Sequence, residues 1–137
     1  LISTPSDMVK MGNVLVSDST FVSQDVRDDF WEPVVLANGE VNEQLYASGW
    51  RSYKSYDTEY LLGENTSVWM VHHGGVSKGS MNLLALFPDY ELVINVSING
   101  REENIDFTPF WIEVMKIAQP FLLTAEEDLY GMTMNDR

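Results

Sequence analysis

The chain has 137 residues, 45% of them hydrophobic, enough for one domain with a core of its own. Its 21 acidic residues outnumber 8 basic ones for a formal net charge of −13, a field that repels phosphate backbones and anionic lipid, so nucleic acid and acidic membrane surfaces are excluded as partners. Cysteine is absent, which excludes disulfides and thiolate metal sites, and no apolar run approaches the roughly 18 residues of a membrane span.

The first residues lack the basic and apolar regions of a signal peptide, and the whole reads as soluble. Leu1 is not an initiator methionine and leads directly into a helix start, from which we expect sequence upstream. Thr4-Pro5-Ser6-Asp7 supplies an N-cap, a proline at the first helical position and an acid at the third. Met8, Met11, Gly12 and Leu15 follow at helical spacing and predict an amphipathic helix over Pro5–Val16. A second helix is predicted over Ser23–Trp31, with Val26 and Phe30 four apart on its apolar side, stopping before Pro33. Asn38-Gly39 marks a turn, and Tyr46–Tyr53 has the aromatic and small residues of a strand.

Ser67–His72, Ser80–Phe87 and Glu91–Ile98 are three short β-type runs close enough in sequence to pair as an antiparallel meander. Leu83 to Leu86 is apolar on both faces, so helices should cover that strand on both sides. In the last run Leu92, Ile94, Val96 and Ile98 alternate with Val93, Asn95, Ser97 and Asn99, which predicts one face buried throughout and another turning polar toward its end. After Asn99-Gly100, Thr108-Pro109 starts a C-terminal helix with an apolar stripe of Phe110, Val114, Ile117, Ala118 and Phe121, and Met132 to Arg137 should fray. The expected fold is α/β, an α+β sandwich over residues 1–137, in which an N-terminal and a C-terminal helix pack on an antiparallel sheet of three to five strands.

The segment His72-His73-Gly74-Gly75 lies between two strand-like runs and carries the most chemistry. It puts glycine-freed backbone at the rim of a sheet, where a reacting carbonyl can lie against main-chain N–H groups. A plain turn is the commoner meaning of a Gly-Gly pair. Adjacent strand residues point to opposite faces, so His72 and His73 should not share one pocket or one zinc ion; His72 is read as structural. No metal and no cofactor is expected. Neither Ser-x-x-Lys nor Tyr-x-Asn occurs, and Ser77 and Ser80 lack a lysine or tyrosine at nucleophile-activating spacing. Tyr46-Ala47-Ser48 and Tyr53-Lys54-Ser55 are Tyr-x-Ser runs placed after the capped helix, and Trp31, Trp50, Trp69 and Trp111 are read as packing residues.

Four stretches together resemble the serine β-lactamase and penicillin-binding-protein-like hydrolases, in particular the class C β-lactamase, esterase and D-aminopeptidase branch. Leu1-Ile2-Ser3-Thr4-Pro5-Ser6-Asp7-Met8 resembles the helix start after that family's tyrosine motif, and Ser48-Gly49-Trp50 its Gly-Leu-Gly-Trp strand. His73-Gly74-Gly75 with Gly79 resembles the His-Gly-Gly form of its Lys-Thr-Gly motif, and Phe87-Pro88-Asp89 with Leu92–Asn99 the hairpin that follows.

The resemblance implies a partial β-lactamase-like fold whose nucleophilic Ser-x-x-Lys and general-base Tyr-x-Asn lie upstream of Leu1. It implies that His73 is a donor beside the substrate and the base, and that Gly74 and Gly75 let substrate lie along the strand. The Val76 N–H would be one arm of an oxyanion hole. The chain would then be the C-terminal part of a hydrolase acting on a small amide or ester, inactive alone, with the missing N-terminal part as its partner and a periplasmic or secreted location favoured. The competing expectation is a non-catalytic binding or structural domain that associates through an exposed sheet edge. In either case the isolated chain is expected to be a homo-oligomer.

Overall fold

A computed structural model describes residues 3–100 and 107–135, with the side chains of the last helix described over 109–123. The elements are α1 (Pro5–Ser17), α2 (Gln24–Trp31), β1 (Arg51–Asp57), α3 (Glu59–Leu62), β2 (Ser67–Val76), β3 (Ser80–Phe87), a 3-10 turn (Pro88–Tyr90), β4 (Leu92–Asn99) and α4 (Phe107–Asn135). The four strands form one antiparallel sheet in the order β1-β2-β3-β4. The chain is thus a mixed α/β unit, with helices at both ends of its sequence and a sheet between them.

α1 starts as its sequence dictates. Thr4 Oγ1 accepts a hydrogen bond from the Asp7 N–H at 3.2 Å, and Pro5 occupies the first turn. Its C-terminal end carries no cation of its own. Arg27 of α2, only 6% exposed, supplies one by donating to Leu15 O at 3.2 Å and Val16 O at 2.5 Å. These carbonyls lack helical partners, and a buried guanidinium satisfies them while opposing the helix dipole.

Each apolar face of β3 is covered by one helix. Leu84 and Leu86 pack with Val16, Trp31, Trp50 and Val71 on the α1 side. Ala85 and Phe87 pack with Met70, Met115, Ala118 and Leu122 on the α4 side. Burial of side chains such as Phe87 and Leu122 contributes about 1.5–3 kcal/mol each. α1 sits close: a Cβ on Gly12 would lie 2.5 Å from Val93 Cγ1 and 3.0 Å from Leu86 Cδ2, so the absent side chain sets the spacing between helix and sheet.

Several expectations are corrected. Val26 and Phe30 of α2 are 55% and 38% exposed, whereas Arg27 and Trp31 point inward. The helix is turned by one residue because Arg27 caps α1 and Trp31 meets Trp69 edge-on, with centroids 5.7 Å apart. The strand predicted over Tyr46–Tyr53 begins at Arg51. Left-handed Leu45 (φ 51°) and Gly49 (φ 82°) fold residues 46–50 back on it, so that the Ala47 N–H donates to Trp50 O at 2.7 Å.

β2 continues past His72 to Val76. Both glycines are extended, and the chain reverses only at Ser77–Ser80, where the Ser77 N–H donates to Ser80 O at 2.9 Å. In β4 the buried face does not persist to the end: Ile98 is exposed, as are Ser97 and Asn99, because among the described residues β4 is the last strand of the sheet and has a strand neighbour on one side only.

α4 buries Val114, Met115, Ala118 and Leu122 and leaves Ile117 and Phe121 56% and 57% exposed, so its inner stripe is also one residue round from the predicted one. Its helical backbone runs on to Asn135 where fraying from Met132 was expected; Asp136 and Arg137, like Leu1, Ile2 and the acidic run over 102–106, lie outside the described residues. α3, a single turn without a sequence signal, packs Leu61 and Leu62 on the α4-side core. Among the described residues no helix is long and apolar enough to cross a membrane.

Candidate functional site: the open edge of β2

β1 pairs with β2 only as far as Arg51, opposite His72. The next four residues of β2, His73 to Val76, keep β3 as a neighbour on one side and, among the described residues, have no strand on the other. Antiparallel ladders alternate the direction of their main-chain groups. The Ser77 N–H bonds to Ser80 in β3, so the groups of Gly75 and His73 also point to β3, while those of Gly74 and Val76 point to the open side. Two N–H donors and two carbonyl acceptors therefore face a cleft of about 520 Å³.

Tyr46, Arg51, Tyr53, Tyr56, Phe110 and Trp111 complete the cleft wall. Neither glycine is required by the backbone. Both have ordinary φ, and a Cβ on Gly74 would meet only Asn82 O at 3.6 Å and Leu83 Cδ1 at 3.9 Å, while one on Gly75 would meet nothing within 4 Å. Their effect is to leave both faces of the strand beside the open edge clear of side chains.

The two histidines diverge as strand geometry requires. His72 lies on the α4 side, stacked on Tyr53 with centroids 5.6 Å apart and 7° between planes, and tilted against Trp111 at 5.3 Å. Burial, with Arg51 and then His73 nearby, pushes its pKa down to about 4, so this imidazole is neutral near pH 7. Among the described residues its Nδ1 is buried without a hydrogen-bond partner. His73 lies on the other side, where its Nε2 is 2.7 Å from the Tyr46 hydroxyl and the rings meet edge-to-face at 5.9 Å. Because the edge between them is open, the cleft wraps round it and both rings line one cavity, contrary to the sequence expectation.

Tyr46 is held firmly for a loop residue. The Asn42 Oδ1 accepts the Tyr46 N–H at 2.7 Å, and the Asn42 Nδ2 donates to Tyr46 O at 2.8 Å and to Val34 O at 3.0 Å. Arg51 lies over the Tyr46 ring, 5.5 Å from its centroid, and donates to Gln44 Oε1 at 2.9 Å.

Of the residues singled out in the sequence, His73, Gly74, Gly75 and Val76 share one wall of the cleft. Ser77 and Ser80 bond to each other through their hydroxyls at 2.8 Å in the β2–β3 turn. Tyr53 serves the cleft as the plate under His72. The sequence reading gave Tyr46 no partner, and missed Arg51 and Trp111 in the site. Trp111 donates to the Tyr56 hydroxyl at 2.6 Å, which ties the start of α4 to β1. Among the described residues no three His, Asp or Glu side chains are grouped to hold a metal ion. No family profile, curated protein or solved structure matches the chain.

Proposed function

We propose that the open edge of β2 is a substrate-binding wall for acyl transfer on a small amide or ester, within a β-lactamase-related serine hydrolase of which this chain is the C-terminal part. One observation carries the reading: the His-Gly-Gly-Val segment lies in an extended strand with the Gly74 and Val76 main-chain groups turned into a cleft. An amide or ester laid along that edge adds as a strand and satisfies these groups. The Val76 N–H then faces the carbonyl that becomes an oxyanion, and His73 supplies a polar side chain beside it. Such a donor contributes about 3 kcal/mol to a transition state when the hole is complete.

The chain holds no Ser-x-x-Lys and no Tyr-x-Asn, so the nucleophile and its base come from a different stretch of polypeptide, the missing N-terminal part. The test is the reading frame upstream of Leu1, followed by assay of its full product on p-nitrophenyl esters and nitrocefin. Both motifs upstream, and turnover abolished by substituting the serine, are expected. A frame without them, or turnover by the 137-residue chain alone, overturns the reading.

The outer edge of β4 favours a second reading, a non-catalytic module that associates through that edge. β4 has no strand on its outer side among the described residues, and none of its residues is fully buried. Such an edge recruits a strand from another chain, giving a homodimer or a swapped oligomer.

A further inference from the structure

We infer that Tyr46 is the positioning residue of His73: its hydroxyl holds the ring in the Nδ1–H tautomer, leaving Nδ1 as the atom that donates a hydrogen bond in the cleft. What that donor serves rests on the acyl-transfer reading; the tautomer itself does not. The observation is the 2.7 Å contact between Tyr46 Oη and His73 Nε2, made across 27 residues of sequence. Which atom donates follows from chemistry. A phenol O–H is a more acidic donor than an imidazole N–H, and a bare imidazole nitrogen is a stronger acceptor than a phenol oxygen. Arg51 lies over the Tyr46 ring, 5.5 Å from its centroid, and holds the ring by cation–π attraction.

The bond made by one ring nitrogen decides which tautomer the other presents. With Nε2 accepting from Tyr46, the proton sits on Nδ1, which has no hydrogen-bond partner among the described residues. An unrestrained imidazole in water prefers the opposite form, with the proton on Nε2. The surroundings of Tyr46 fit a positioning role. Asn42 binds both its main-chain N–H and its carbonyl, the Val34 N–H donates to the same carbonyl at 2.8 Å, and Gln44 steadies the Arg51 that covers its ring. The hydroxyl, at the far end of this clamp, makes the hydrogen bond to the imidazole, and the two rings meet edge-to-face beside it.

The test is long-range 1H–15N correlation of the His73 ring in the 15N-labelled chain at pH 8.5, above the ordinary histidine range. The wild type should show a protonated Nδ1 and an unprotonated, acceptor-type Nε2. Tyr46→Phe, which keeps the ring and deletes the hydroxyl, should lose that pattern and revert to the Nε2–H form. Asn42→Ala, which keeps the hydroxyl and frees the loop, should give a mixture of the two. With N-acetyl-trialanine amide as probe, the Nδ1 resonance should move on binding, and Tyr46→Phe should weaken binding about fivefold, the effect of one hydrogen bond. A wild-type ring protonated on Nε2, or a Tyr46→Phe ring still protonated on Nδ1, overturns the positioning role. Because the tautomer is read without substrate, that failure is distinct from failure of the acyl-transfer reading, which shows as a correct tautomer with an Nδ1 resonance that the probe does not move.

Discussion

His72 stacks on Tyr53 with 7° between the ring planes, and Trp111 leans on the imidazole at 5.3 Å, so one histidine joins β1, β2 and the N-terminal part of α4. Burial between these rings, with the Arg51 charge nearby and no partner for Nδ1 among the described residues, makes a place for a neutral ring and a poor one for a cation.

The pH dependence of stability follows. The pKa of His72 is depressed to about 4 in the folded chain against an ordinary value of 6.5, so between those values the unfolded chain takes up a proton that the folded one refuses. Stability contributed by neutral His72 is complete above pH 6.5 and falls as pH drops toward 4. After allowance for solvent reaching the ring, the loss is on the order of 2 kcal/mol. Urea unfolding at pH 7.5, 6, 5 and 4 measures it, and His72→Phe, which keeps the stack and removes the proton, should flatten this part of the profile.

Arg27 is expected to matter more than its place in an acidic helix suggests. Arg27→Met retains much of the buried stem but leaves the Leu15 and Val16 carbonyls without the guanidinium, a cost of about 1.5–3 kcal/mol. The same substitution at Lys10, whose ion pair with Asp7 is exposed, should change stability by less than about 0.5 kcal/mol. Denaturant midpoints of the two variants decide this.

Two glycines should respond oppositely to valine. Gly12→Val drives methyl groups into Val93 and Leu86 and should destabilise by about 1–3 kcal/mol. Gly74→Val has room within the fold and should leave the unfolding midpoint nearly unchanged, while filling the side of the cleft along which a ligand strand would lie. Thermal melts of both, with peptide-probe binding to the second, check the pair.

β4 has no strand on its outer side among the described residues, which predicts self-association. Light scattering on a size-exclusion column should show a dimer or larger species, and Ile98→Lys, a charge on an exposed edge residue, should shift the chain toward monomer. A wild-type chain that runs as a stable monomer contradicts this.

Much of the fold was legible because it is written locally. The Thr4-Pro5 cap, the alternation in Leu92–Asn99 and the doubly apolar Leu83–Leu86 each specify an element through neighbours in sequence. The two helix errors share a cause: which side of a helix faces inward depends on partners far along the chain. Arg27 turned α2 by binding the end of α1, and Met115 and Leu122 replaced Ile117 and Phe121 in the buried stripe of α4. The site was legible to the same extent. His73 to Val76 is one continuous strand segment and could be found from its glycines, whereas Tyr46 reaches His73 only because left-handed Leu45 and Gly49 fold the loop back along β1. A left-handed leucine has no sequence signature.

The most direct measurement is an amide 1H–15N titration of the chain with N-acetyl-trialanine amide. If an extended amide adds to the open edge of β2, the Gly74 and Val76 N–H resonances should shift together with the His73 ring, with saturating curves of one affinity, and Gly74→Val should abolish all three. Shifts confined to β4, or none at Gly74 and Val76 at saturating probe, would contradict the assignment of this edge as the substrate wall.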